Sequence, residues 1–401
     1  MSKARNPRIK KRENDHGATH THIATPKLAS VGSNIVSSLS SNGDSHRDSM
    51  NKTRLLAGIL GLAMTSTFMG AQTYPAQSYP EAEISNGVLR AKIYLPDAQK
   101  GFYRGTRFDW AGVMGSLEYK GHNYYGPFFE KFDPAVSDVV IGDPILAGVA
   151  SAASGPVEEF IGADGAALGY SNAKAGETFC KIGVGALRKP DNAAYSQYTN
   201  YTIVDGGKRT LRTGPDWIEF THQVDCGAGY AYRYTKTIRF LKHEPVMVIE
   251  DHLTNTGTKP IETQVYDHNF LSIDHEPTGP SVVMNFPFSP APTKQLDALG
   301  QINGKELSFP RKLAGSDTFY AEFTGFKPVA AHYQIRVENR HTGAGVLISC
   351  SQPVVNLGVW AVRTVVAPEP YIAINIPTNR DFRWKYTYKF YVDSSPKGTT
   401  K

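Results

Sequence analysis

I-E-T-Q-V-Y-D-H-N-F-L-S-I-D-H, residues Ile261–His275, is the stretch whose reading decides the fold. As a strand its side chains fall on alternate faces. Val265, Asp267 and Asn269 share one face, and Tyr266, His268 and Phe270 share the other. A histidine with an aromatic ring two residues away on each side suits a sheet that faces a carbohydrate. Aromatic rings cover the C–H faces of sugars, and an imidazole exchanges protons near neutral pH. The same pattern also fits a half-buried strand carrying one satisfied histidine, so the rest of the chain has to decide.

Working outward, the period-2 signal persists. Trp217–Val224, Tyr230–Leu241 and Val246–Thr254 read as strands, and Thr254–Pro260 (T-N-T-G-T-K-P) reads as a hairpin loop between the last of them and the histidine strand. Ser281–Phe286, Ala321–Phe323, Tyr333–Glu338, Gly345–Ser349, Asn356–Thr364, Ile372–Ile376 and Trp384–Val392 continue the series. Upstream, Ala82–Leu95 reads as a first strand and Glu177–Arg188 as another running into a glycine turn. No long stretch of helical period follows residue 71, and no repeat or linker divides the chain. The expected class is all-β, with residues 72–401 as a single domain.

The chain has 401 residues and a net charge of +6. That excess sits entirely in the first 71 residues; beyond Ala71, Lys plus Arg balance Asp plus Glu. Nucleic acid and anionic membrane surfaces therefore lose their main electrostatic argument as partners. Met50–Ala71 has a basic start, an apolar run too short to span a bilayer and small residues at Gly70 and Ala71. It reads as a signal peptide, which implies a periplasmic or secreted product with no membrane span in the mature chain. Residues 1–49 are polar and aperiodic, and read as disordered and outside the true product. Cys180, Cys226 and Cys350 are odd in number and widely spaced, so they mark neither a disulfide framework nor a zinc site, although one pair could bridge after export. His222, His243 and His252 lack ligand spacing with nearby carboxylates, and no catalytic metal or cofactor is expected.

Near the C-terminus A-P-E-P-Y-I-A-I-N, Ala367–Asn375, sets Glu369 between two prolines that favour extended backbone. Ile372, Ile374 and Ile376 form an apolar face, and Glu369 and Tyr371 point the other way, where a carboxylate at a strand mouth could act as a base. In Trp384–Tyr391, Trp384, Tyr386, Tyr388 and Phe390 share one side. Arg104 and Arg107 lie among Phe108 and Trp110, a setting suited to holding a hydroxyl or carboxylate.

Taken together, L-T-N-T-G-T-K-P (253–260), D-H-N-F (267–270), W-A-V-R (360–363), P-E-P-Y-I (368–372) and W-K-Y-T-Y-K-F (384–390) resemble the galactose mutarotase-like superfamily of aldose 1-epimerases and hexose-phosphate epimerases. The resemblance spans roughly Ala82–Asp393. It implies a β-supersandwich of large antiparallel sheets and an isomerase that exchanges sugar anomers, with His268 as general acid and Glu369 as general base. Arg107, Arg104, Tyr266, Trp360, Arg363 and Tyr371 are the substrate-binding candidates, and the partner is a mono- or oligosaccharide. Two departures stand out. The superfamily's second site histidine, in an H-G-G motif, is missing, with G-E-T-F-C-K-I-G-V-G (176–185) standing roughly where it is expected, and the histidine strand reads H-N-F-L-S-I where members usually read H-x-Y-F-N-L. A polysaccharide lyase, using the Tyr195–Tyr201 cluster with Arg104, and a non-catalytic glycan-binding domain are the alternatives.

Overall fold

Val265, fully buried, shows how the histidine strand is used: it points into the space between two sheets, beside Asp267 and Asn269. From the opposite sheet the Tyr388 hydroxyl sits between Asp267 Oδ2 (2.5 Å) and Asn269 Oδ1 (2.9 Å). The two faces of Ile261–Phe270 thus divide as the alternation predicts.

The computed structural model describes residues 78–129, 131–135 and 149–393. All of them belong to one compact unit, Phe68–Lys401. The expectations for residues 1–49 and for Met50–Ala71 fall outside the described residues.

The fold is all-β, built on large antiparallel sheets. The larger runs Lys208–Thr213, Trp217–Gly227, Tyr230–Phe240, Val246–Asn255, Asp381–Val392, Ala344–Cys350, Gln334–Asn339, Val282–Asn285, Glu306–Ser308 and Gln301–Asn303. The smaller runs Ala291–Pro292, Phe319–Thr324, Asn356–Val362, Val365–Ile376, Ile261–Phe270 and Gly155–Ile161. Trp384, Tyr386, Tyr388 and Phe390 are all buried, as their shared side predicts, and Phe160 packs edge-on against Tyr234 and Trp384 across the gap. Ile372, Ile374 and Ile376 are buried as well. Each such aliphatic side chain contributes about 1.5–3 kcal/mol on leaving water, so the central strands are held mainly by this shared core.

Several boundaries differ from the sequence reading. Thr254–Pro260 is a crossing between sheets, because Val246–Asn255 belongs to the larger sheet and Ile261–Phe270 to the smaller. Buried Asn255 fixes this turn: its amide donates to the Lys259 and Ile376 carbonyls, and its Oδ1 accepts the Gly257 N–H. Asn and Gly specify a tight turn, but they do not specify that the flanking strands pair. Ala82–Leu95 is two strands, Glu81–Ser85 and Leu89–Tyr94, folded about Gly87 at φ 82°. Glu177–Arg188 likewise divides into Thr178–Lys181 and Gly185–Arg188. Cys180 and Cys226 form a disulfide, with Cα atoms 5.3 Å apart, and Cys350 is buried and free.

Candidate functional site

The outward face of the smaller sheet carries the other half of the alternation. Gly155–Ile161 pairs with the histidine strand in the register Tyr266↔Glu159, and Val365–Ile376 pairs on the other side in the register Tyr266↔Tyr371. Beyond Tyr371 the backbone ladder to the histidine strand stops at Pro370 and Pro368, which have no N–H to donate. The Asn269 amide donates to the Pro368 carbonyl instead, and pairing returns at Leu271↔Val366. The register on both sides of this gap sets His268 directly across from Glu369. Their side chains touch, His268 Nε2 to Glu369 Oε1 at 3.0 Å, and both are buried. Glu369 is therefore in mid-strand rather than at a strand mouth, because Pro368 and Pro370 are paired with Val359 and Leu357 on its other side.

Around the imidazole, Phe270 is stacked at 3.8 Å, and Phe108 and Trp360 meet it edge-on at 5.5 Å. Nδ1 is buried inside this box with no hydrogen-bond partner. Burial, reinforced by the nearby Arg107 charge, pushes the His268 pKa well below that of an ordinary histidine. The ring is held neutral, with Nε2 as its polar end.

Beside the pair lies a second buried group. Glu159 accepts from Lys181 Nζ (3.0 Å), Arg107 Nε (2.7 Å) and the Tyr266 hydroxyl (2.6 Å), and Arg107 Nη2 donates to that same hydroxyl (3.0 Å). Burial alone would raise the Glu159 carboxyl, but Lys181, Arg107 and Tyr266 outweigh it and hold the pKa below the ordinary value. Glu158, the next residue, faces the opposite way and is met by Lys236, which also lies 2.7 Å from Asp109. Glu159 thus meets two cations and Glu158 one, on opposite faces of the strand.

Of the residues singled out in the sequence, His268, Glu369, Tyr266, Tyr371, Trp360 and Arg107 come together here. The Tyr266 and Tyr371 rings stack at 4.2 Å. Arg363 stands on the turn after the Trp360 strand, its guanidinium 4.4 Å over the Phe129 ring. Arg104 does not join: it donates to the Gly101 carbonyl, and its charge is felt by Tyr79 and Asp97 on the N-terminal flank. Tyr195 and Tyr201 stack on each other within the apolar cluster of Tyr170 and Phe179, and the Tyr195 hydroxyl is driven well above its ordinary pKa by burial. Tyr198, the third tyrosine of the Tyr195–Tyr201 cluster, lies with its ring 5.6 Å from the Arg107 guanidinium.

Glu159 and Lys181 escaped the sequence reading. The doublet Glu158-Glu159 in G-P-V-E-E-F-I was its only trace, since alternation necessarily sends the two acids to opposite faces. Lys181 comes from the segment 176–185 and reaches Glu159 only through tertiary packing. Among the described residues no group of three or more His, Cys, Asp or Glu is arranged to hold a metal ion.

No protein-family model and no curated protein matches this chain. Aldose epimerase and galactose mutarotase-like proteins are among the similar solved structures. An aldose epimerase homologue from C. elegans is 13% identical over 79% of this chain and 99% of its own, with a TM-score of 0.47. A galactose mutarotase-like protein from Lactobacillus casei is 10% identical over 78% of this chain and 100% of its own, at 0.44. A galactose mutarotase related enzyme from Lactobacillus acidophilus is 8% identical over 80% and 99%, also at 0.44. The fold assignment itself stands on the strand pairing described above.

Proposed function

We propose that this chain is a carbohydrate-active isomerase that exchanges sugar anomers without a cofactor, with Glu369 as the proton-transferring group and His268 as its partner. The observation that carries the reading is the His268–Glu369 contact, 3.0 Å, at the gap the two prolines open in the sheet. Glu369 takes the proton from the anomeric hydroxyl. That O–H electron pair becomes the carbonyl π bond, and the bond from the anomeric carbon to the ring oxygen breaks. Once Glu369 is protonated, the His268 Nε2–H that faced its carboxylate turns to the ring oxygen as negative charge develops there. Because the ring is held neutral it acts as a hydrogen-bond donor, and the proton on Glu369 passes to the ring oxygen. Rotation about the C1–C2 bond and reclosure by the reverse steps give the other anomer. Tyr266, Tyr371 and Trp360 supply apolar faces for the sugar, and Arg107 orients Tyr266.

The protein acts, in this reading, outside the cytoplasm. The Met50–Ala71 pattern and the Cys180–Cys226 disulfide both favour an oxidising compartment.

The test is NMR exchange spectroscopy of anomer interconversion across a panel of aldoses and uronates. Acceleration on at least one sugar is expected, reduced roughly 10²–10⁴-fold in Glu369→Gln, the range of lost acid–base catalysis. No acceleration on any sugar in the panel would sink the proposal.

A further inference from the structure

The face around Glu369 is closed at one end and open at the other. Toward the Gly155–Ile161 strand it ends in buried groups: Phe108, Arg107, Glu159 and Lys181. Away from that strand the register runs His268, Glu369, Gly358, Glu322 across four neighbouring strands. Gly358 contributes no side chain. A Cβ there would come within 3.2 Å of Glu369 Oε2 and 3.6 Å of the Tyr320 ring, so the glycine keeps a gap between the carboxylate and that ring.

Beyond the gap the side chains are polar or aromatic and open to water. Tyr320 is 53% exposed, pairs across strands with Trp360, and donates to the half-exposed Glu322 (3.2 Å). Tyr198 is 52% exposed, and its ring lies 5.6 Å from the Arg107 guanidinium. Tyr198 and Tyr320 are close enough for the charge of one hydroxyl to act on the other. Two of the exposed large apolar side chains among the described residues thus flank one site. Tyr198 flanks the closed end, beside Arg107, and Tyr320 flanks the open end, beyond Gly358. An exposed ring beside a carboxylate, across Gly358 from Glu369, suits the C–H face and hydroxyls of a second sugar.

We propose that the site takes the reducing end of an oligosaccharide, with the terminal sugar over Glu369 and His268 and the next one on Tyr320, its hydroxyls donating to Glu322. The anomeric centre must be free for exchange, so the remainder of the chain leaves through another hydroxyl toward the open end. The orientation, though not the second sugar position, rests on the anomer-exchange reading.

The experiment uses the full chain and the variants Tyr320→Ala and Glu322→Gln. The probes are glucose, galactose, mannose and N-acetylglucosamine, each beside a disaccharide and a trisaccharide carrying that residue at the reducing end. For the preferred sugar the disaccharide is expected to show a KM roughly tenfold below that of the monosaccharide, a difference of about 1.4 kcal/mol. Tyr320→Ala should remove this advantage, leaving kcat and the monosaccharide KM unchanged. Equal KM for both lengths, or a Tyr320→Ala effect as large on the monosaccharide, overturns the proposal. If no sugar is turned over, the anomer-exchange reading fails separately and saturation-transfer NMR of the same sugars decides. Binding that grows with chain length and depends on Tyr320 upholds the second position, and binding indifferent to length removes it.

Discussion

Replacing Glu159 by Gln tests whether the buried charges beside the site are held by one another. Glu159 is fully buried and joins Lys181, Arg107 and the Tyr266 hydroxyl at 2.6–3.0 Å. The amide keeps the shape and one acceptor oxygen but removes the negative charge. Lys181, at 1% exposure, then remains away from water without the carboxylate that met it. Removing one partner of a buried ion pair costs about 3–5 kcal/mol, chiefly because the other charge is left uncompensated. With an unfolding entropy near 2.1 cal/mol/K per residue, a domain of about 300 residues should lose roughly 5–8 °C in Tm. The control is Lys181→Met alone and combined with Glu159→Gln. The double variant removes the Lys181 charge together with that of its partner, so its loss should fall short of the two single losses added together by roughly 0.5–3 kcal/mol. Thermal unfolding followed by circular dichroism at neutral pH reads all three. A Tm change below about 2 °C for Glu159→Gln, or strict additivity, would refute the reasoning, because either outcome means water already reaches these charges.

The core between the sheets carries two strained acids: burial raises Asp251 to about 8 and Asp267 to about 7, against the relief given by Lys236, Tyr234 and Tyr388. Both lie above the unfolded value near 3.9, so their share of stability is complete below about pH 4 and is lost as pH rises toward 7–8. Asp251→Asn should therefore gain on the wild type with rising pH across that window, by up to about 1.4 kcal/mol per pH unit; a pH-independent difference in Tm would contradict this. Removing the Cys180–Cys226 bridge, which closes a separation of 46 residues, should cost roughly 4 kcal/mol on the loop-entropy argument. Chemical denaturation of Cys180→Ala/Cys226→Ala measures it, and an unchanged midpoint would mean that the bridge does not constrain the unfolded chain.

By itself the sequence determined whatever a period of two can carry. The alternation of Val265–Phe270 separates the core face from the site face, and Trp384–Phe390 and Ile372–Ile376 announce buried faces, because side-chain direction in a strand is a local property. The same alternation sets Glu369 on the side of its strand away from Ile372, Ile374 and Ile376, and sets His268 between Tyr266 and Phe270 on the face opposite Val265. What tertiary structure decided is pairing. Nothing local in Thr254–Pro260 says that its flanking strands join different sheets, since that depends on which edges the rest of the chain offers to Asn255 and Ile261. Nor does composition tell that Pro368 and Pro370 leave a gap across from His268, that Cys180 meets Cys226, or that Lys181 reaches Glu159. Gly358 became informative only once Glu322, Tyr320 and Glu369 were aligned around it on neighbouring strands. A site built across four strands depends on their register, and register is settled by burying all the apolar faces together.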